Sequence, residues 1–482
     1  MIGIRAATSS TSRTACCLKR CTGDLPLGAR HSSGAPARRP AYAQMSAHDP
    51  ALRAGAPLEW RAPRGAQPCC GRIAAGPSAP YAVINNPRGS AMQPIFDLSS
   101  VHRLKFNGGI DADGHVLEAS DLWETYIEAR YRDRAMRLRR DSDGLEYLEI
   151  DGRPSKMTRK GYPATLGRMG QKELEAFKPH PDKTYAANMP FGACDAGQRL
   201  KLLDAEGLAA AVLYPTLGIL WEAELEDVEL SQAYCRAYNR WIADFCRSSG
   251  GRLVPIAHLS LGDPAAAAAE LERAVKDGCR GAFVVPFTLS RKAHGDPVHD
   301  PVYAKAVELD VPIALHPSFE PFTLRSARFE NGHRLPLLSA ARAGDGVRHA
   351  FTTFFDFATF DRFPTLKLVI LESGAGWIGY WLDRLDGIVE ATFIGGRAPL
   401  KHKPSDYFRR QCWISADPDE RTIPAMAALY GADRFFWASD YPHPDHTGDY
   451  LAALEQTAAT MPEAARTGLL GANVRAAYAL AC

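Results

Sequence analysis

A (β/α)₈ TIM-type barrel is the fold this 482-residue chain predicts, and three observations predict it. From Gly108 to the C-terminus, short apolar runs alternate with stretches of helical periodicity, and eight such runs can be counted. Three of the runs close on side chains that bind metals, at Asp113-Gly114-His115, at His316 and at Asp440, all at the C-terminal end of the strand where a parallel barrel gathers its site. A hydrophobic content of 46% is ample for the core of one large domain.

Taken in order, residues 1 to about 106 read as a disordered, low-complexity leader rich in Ser, Ala, Arg, Gly and Pro. Its first 48 residues carry seven Arg or Lys against the single acid Asp24, a net of +6 that leaves −4 for the rest of a chain whose total is +2. Such a basic, acid-poor start also permits organelle import, and Met45 and Met92 are available as later starts.

Gly108 to Val116 predicts the first strand, and Asp113 and His115, two apart, share one of its sides. Ser120 or Asp121 is expected to cap a helix through Leu122, Trp123, Tyr126 and Ile127. Residues 131–190 form an insertion long for a barrel loop, with a weak strand at Glu146 to Ile150, expected to lie over the active-site mouth. Then come a helix at Arg199 to Glu206 and a strand at Ala209 to Tyr214, a helix at Val228 to Ser248 and a strand at Leu253 to Ala257. A helix from Asp263, its cap, to Lys276 precedes the strand Gly281 to Val285, and Asp300 to Leu309 precedes Val311 to Leu315. A helix through Asp356 to Phe360 leads to the strand Leu366 to Leu371. Gly376 to Glu390, Cys412 to Ser415, Glu420 to Tyr430 and Arg434 to Ala438 complete the alternation, and the residues after Tyr450 supply closing helices.

Composition narrows the function. A nearly neutral chain is a poor nucleic-acid binder, and no run reaches the roughly 18 to 20 apolar residues of a membrane helix. Eleven cysteines without recurrent spacing, Cys194, Cys235, Cys246, Cys279 and Cys412 among them, suggest reduced thiols in a cytoplasmic protein. The cluster Cys16, Cys17, Cys21 has no second pair at zinc-finger spacing. Neither a dinucleotide fingerprint, a Walker lysine nor a serine-nucleophile elbow is present. The expected partner is a small-molecule substrate, with a homodimer as the assembly to test.

Asp113, His115, His316 and Asp440 form a carboxylate and imidazole set suited to one divalent metal, zinc first, with manganese or ferrous iron fitting the same donors. Glu372, just past the sixth strand, and His443, just past Asp440 between Pro442 and Pro444, are candidate catalytic groups beside Asp440 itself. Arg325, Arg328 and Arg334 are candidates for a substrate carboxylate or phosphate, or for a solvated lid. Trp123, Tyr162, Phe191 and Trp377 suggest an aromatic pocket, while His349, Phe351, Phe354 and Phe355 suggest helix packing.

The motifs DADGHVLE at Asp111 to Glu118, GLAAAVLYP at Gly207 to Pro215, HPSF at His316 to Phe319 and SDYPHPD at Ser439 to Asp445 resemble the amidohydrolase superfamily over about Gly108 to Asn473. The nearest resemblance is to the amidohydrolase-related branch containing aromatic-acid and aminocarboxymuconate-semialdehyde decarboxylases. It implies a metal-dependent barrel at residues 107–482, with Asp113, His115, His316 and Asp440 as ligands. The chain departs from it at Glu372, where family decarboxylases usually carry a histidine that assists protonation. A carboxylate there can bind metal or move a proton, but it acts as an acid only with a raised pKa. The leading expectation is therefore hydrolysis of a small carboxylic, amide, ester or lactone substrate by metal-activated water, with proton transfer by Asp440 or Glu372 and help to the leaving group from His443. Non-oxidative decarboxylation of an aromatic or unsaturated acid is the alternative, and iron-dependent oxygenation a third.

Overall fold

The computed structural model describes residues 96–321, 336–391, 393, 396 and 398–481. Most of the expected leader, with its cysteine cluster, lies outside the described residues, as do Arg325, Arg328 and Arg334. The stretch leading into the first strand carries a short turn at Leu98–Ser100 and a buried Leu104, whose N–H donates to the Glu206 carbonyl at 2.8 Å.

β1 (Gly109–Val116) is buried along its whole length. An antiparallel meander follows inside the insertion, β2 (Arg137–Arg140), β3 (Glu146–Ile150) and β4 (Arg153–Pro154), paired in that order. The remaining strands are β5 (Leu208–Pro215), β6 (Leu253–Pro255), β7 (Ala257–His258), β8 (Ala282–Val284), β9 (Ile313–Leu315), β10 (Leu368–Ile370), β11 (Cys412–Ala416) and β12 (Phe435–Trp437). They pair in parallel as two sheets, β1-β5-β6 and β7-β8-β9-β10-β11-β12, and only Ile256 separates β6 from β7. Beyond β12, Asp440 N–H donates to the Asp113 carbonyl at 2.9 Å and His115 N–H to the Tyr441 carbonyl at 2.7 Å, so the exit of the last strand is tied to the first. The result is a TIM-barrel-like α/β fold. Its strands read as near-continuous apolar runs because helices cover a parallel sheet and leave no face for water.

Local chemistry sets the helices between strands. Asp195, Asp227 and Asp263 each accept backbone N–H bonds at the start of the helices Ala196–Glu206, Val228–Cys246 and Pro264–Lys276. Gly207, at φ 75°, then ends the first of these in the left-handed conformation that L side chains resist, and turns the chain directly into β5.

Two expectations need correction. Asp121 precedes the helix Leu122–Tyr126 but makes no side-chain capping bond, and that helix is only five residues long. The helix expected through Asp356 to Phe360 is instead Asp345–Asp356 followed by Thr359–Arg362, because Ala358 sits at φ 48° and breaks the run. Phe351, Phe354 and Phe355 are buried on the longer helix, as packing requires, while His349 is exposed. Among the described residues no helix is long and apolar enough to cross a membrane, and Cys194, Cys235, Cys246, Cys279 and Cys412 are free.

Candidate metal centre

The site begins with Asp111, which does not face it. The buried Asp111 carboxylate accepts from Ser439 N–H at 2.9 Å and from the Ser439 hydroxyl at 2.6 Å, clamping the exit of β12 against β1. Gly114 leaves room for this clamp: a Cβ there would stand 2.7 Å from Asp111 Oδ2 and 2.8 Å from the Arg199 guanidinium. The first and last motifs, more than three hundred residues apart, are thereby held together, and Asp113, His115 and Asp440 meet.

His115 Nδ1 lies 2.8 Å from the Pro215 carbonyl and His316 Nδ1 lies 2.7 Å from the Pro317 carbonyl. A carbonyl only accepts, so each Nδ1 carries the hydrogen and each Nε2 turns a lone pair toward the cluster, the arrangement metal-binding imidazoles need. His115 Nε2 is 3.5 Å from Asp113 Oδ1, 3.2 Å from Asp440 Oδ1 and 3.4 Å from His316 Nε2. His316 Nε2 is 3.7 Å from Asp113 Oδ1 and 3.1 Å from Glu372 Oε2. His443 places Nδ1 2.7 Å from Asp440 Oδ1 while its Nε2 meets the Thr216 hydroxyl at 3.0 Å. Glu372 and Asp440 both hold positive φ, 42° and 53°, a conformation costing a non-glycine residue on the order of 1 kcal/mol and found where a site dictates it.

Electrostatics shows what the cluster lacks. Burial, reinforced by Asp445 and Asp113, pushes the Asp440 carboxyl well above its ordinary range; burial and then Asp440 do the same to Glu372, against the opposing pull of His316. Burial and the neighbouring His443 and His316 depress His115 strongly, and burial lowers His443. Burial works to lower His316 too, but Asp113 and Glu372 outweigh it and the imidazole ends raised. Both carboxylate oxygens of Asp113 and of Asp440, with Glu372 Oε2, are buried without a hydrogen bond. Oxygens left so are costly unless a cation meets them. With Asp113, His115 and His316 offering ligand atoms within 4.8 Å of one another, and His115, Asp440 and His443 likewise, the residues fit a divalent ion of borderline character.

The expected ligands Asp113, His115, His316 and Asp440 and the expected catalytic groups Glu372 and His443 converge here. His443, expected only as an acid or base, also stands at ligand distance. The aromatic pocket does not assemble as expected: Trp123 packs on Tyr234, Phe191 on Phe96 and Trp377 beside Phe351 and Trp381, whereas Tyr162 pairs with Phe319, the residue three past His316. Sequence reasoning missed His446, whose Nε2 lies 3.3 Å from Asp440 Oδ2, although the repeat of histidine around Asp445 was a signal. It also missed the buried pair of Glu222 and His258 at 3.0 Å, which nothing in the local sequence marks.

A family model described as Amidohydrolase matches residues 110–480. A gamma-resorcylate decarboxylase of Rhizobium radiobacter is 30% identical over 295 residues, 58% of this chain and 86% of that protein. That of Polaromonas sp. (strain JS666 / ATCC BAA-500) is 27% identical over 264 residues, 53% and 79% of the two chains. Among solved structures, an amidohydrolase from Mycobacterium avium subsp. paratuberculosis K-10 superposes with a TM-score of 0.66 at 21% identity, covering 77% of this chain and 99% of that one. A manganese-bound 5-carboxyvanillate decarboxylase from Novosphingobium aromaticivorans DSM 12444 gives 0.57 at 19% identity, covering 79% and 100%. These structural likenesses bear on the fold. With the family model matched over most of its length and the metal-binding cluster at its strand ends, the chain belongs to the amidohydrolase family, as an enzyme of the amidohydrolase-related branch that includes aromatic-acid decarboxylases.

Proposed function

We propose that this enzyme catalyses the non-oxidative decarboxylation of a hydroxylated aromatic carboxylic acid, on a closed (β/α)₈ barrel whose strand ends carry Asp113, His115, His316 and Asp440 as metal ligands. The observation that carries the reading is the pairing of that cluster with curated relatives that are decarboxylases. Hydrolysis, the leading expectation from the sequence, would use the same groups, but neither curated relative described above is a hydrolase.

The reaction exchanges carbon dioxide for a proton at one ring carbon. A bound divalent metal would supply Lewis-acid charge to the substrate's carboxylate and a neighbouring oxygen. The chain's own residues do the rest. Glu372, held 3.1 Å from His316 and raised by burial and by Asp440, can carry the proton the ring carbon takes up, the work done by a histidine in family decarboxylases. Thr216 holds the His443 ring at Nε2, and Asp440 stands beside its Nδ1. Tyr162 and Phe319, with ring centroids 5.7 Å apart and planes tilted by 47°, offer two apolar ring faces against which an aromatic substrate can pack. The insertion reaches the site through Met169 N–H, which donates to the Pro442 carbonyl at 3.2 Å, and this supports its reading as a cover over the mouth.

The test is carbon dioxide release and arene formation over a panel of hydroxybenzoates with the manganese-loaded protein. Turnover is expected from the wild type and not from His316→Ala. Glu372→Gln, which keeps the size of the side chain and removes its acidity, should cut turnover by about 100-fold with metal content unchanged. Hydrolysis of an ester, amide or lactone with no carbon dioxide from any acid would overturn the reading.

A further inference from the structure

We infer that this enzyme binds a second divalent cation, held by Asp440, Asp445 and His446, with Asp440 bridging it to the first.

The two oxygens of Asp440 face different partners. Oδ1 stands 3.2 Å from His115 Nε2 and 2.7 Å from His443 Nδ1, on the side of the first site. Oδ2 stands 3.3 Å from His446 Nε2, on the other side. Asp440 is 3% exposed, and Oδ2 is a buried oxygen without a hydrogen bond that faces His446, with Asp445 and Asp417 close by. Ligand atoms of Asp440, Asp445 and His446 lie within 4.8 Å of one another, close enough for one ion to touch all three.

Charge supports a second ion independently. Asp113, Glu372, Asp417, Asp440 and Asp445 act on one another around this mouth, and Asp417 lies within the field of both His446 and Asp445. Among the described residues no Lys or Arg forms an ion pair with any of these five carboxylates. With Glu372 carrying its proton, four carboxylates remain, and one divalent ion offsets two of their negative charges and leaves the others to repel one another and any carboxylate substrate. A second ion bridged by Asp440 removes that conflict. Two carboxylates and one imidazole make this the harder donor set, better matched to manganese or magnesium than to a thiophilic metal. Asp445 is exposed and His446 half-buried, so this ion exchanges more readily than the one enclosed by Asp113, His115 and His316.

The experiment is metal counting on the full chain, stripped with a chelator, equilibrated with manganese and analysed for bound metal per chain. Two ions are expected in the wild type and one in each of His446→Ala and Asp445→Asn. Low-temperature electron paramagnetic resonance should show a manganese signal broadened by a neighbouring ion in the wild type and a sharper, isolated signal in both variants. Saturation of the wild type at one ion per chain would overturn the second site. So would two ions retained in His446→Ala, or none in either variant, since His446 and Asp445 would then serve something other than a separate ion. The count is independent of the proposed reaction: one ion with carbon dioxide release intact sinks only the second site, and two ions without carbon dioxide release sink only the decarboxylase reading.

Discussion

Glu118 closes the DADGHVLE motif yet serves the backbone. Its buried carboxylate accepts from Leu217 N–H and Gly218 N–H, both at 2.8 Å, and so anchors the loop after β5 beneath the site. Burial raises its pKa to about 7, against those hydrogen bonds. The folded protein therefore holds a proton here that the unfolded chain has released. Glu118 contributes stability that is fully present below pH 4.5 and is lost as pH rises through about 7, with a total swing of about 3 kcal/mol. Glu118→Gln should flatten the decline of stability between about pH 4.5 and 7.5, seen in denaturant melts of both proteins across that range. Glu206, also raised to about 7 by burial, keeps part of the slope in the variant. An unchanged slope would show that Glu118 is ionised in the folded protein. At this scale the residues of the cluster that could hold a metal were legible, because an Asp or His at the end of an apolar strand has few structural uses. Glu118 was quoted only as part of a motif, since neither its burial nor its backbone partners can be read from spacing.

Elements were legible where their own side chains start or stop them. Asp263 was expected to cap a helix and does, accepting from Ala265 and Ala266 N–H at 3.0 and 3.1 Å. Asp263→Ala should cost about 1 kcal/mol, read as a lower urea midpoint at unchanged slope. A cost near zero would mean that packing of Ala267, Leu271 and Ala274 holds the helix start without its cap. Elements were illegible where tertiary contact overrules local preference. Ala358 has no local reason to adopt φ 48°, and the break it makes lets the Thr359 hydroxyl donate to the Gly295 carbonyl at 3.0 Å. The aromatic residues failed for the same reason. Periodicity says that Trp123 is buried, but not that Tyr234 is what buries it.

For the whole molecule, the reading of the leader as disordered, with Met92 available as a later start, implies that it can be removed. A chain starting at Met92 keeps the turn at Leu98–Ser100 and the buried Leu104, and should melt with the midpoint and cooperativity of the full chain. A loss on the order of 5 kcal/mol on truncation would show that residues before Met92 pack as part of the domain. The sequence by itself determined the α/β alternation, the direction of the strands and the residue types at their ends, because apolar period, caps and turn glycines are local properties of the chain. It also identified the family, through motifs short enough to survive in sequence. Only the tertiary structure decided which polar residues meet. The Asp111 clamp on Ser439 joins segments far apart in the chain, and the two faces of Asp440 and the arrival of His446 are set beside it, because a buried carboxylate needs a donor or a cation, a condition that exists only once the strands have packed.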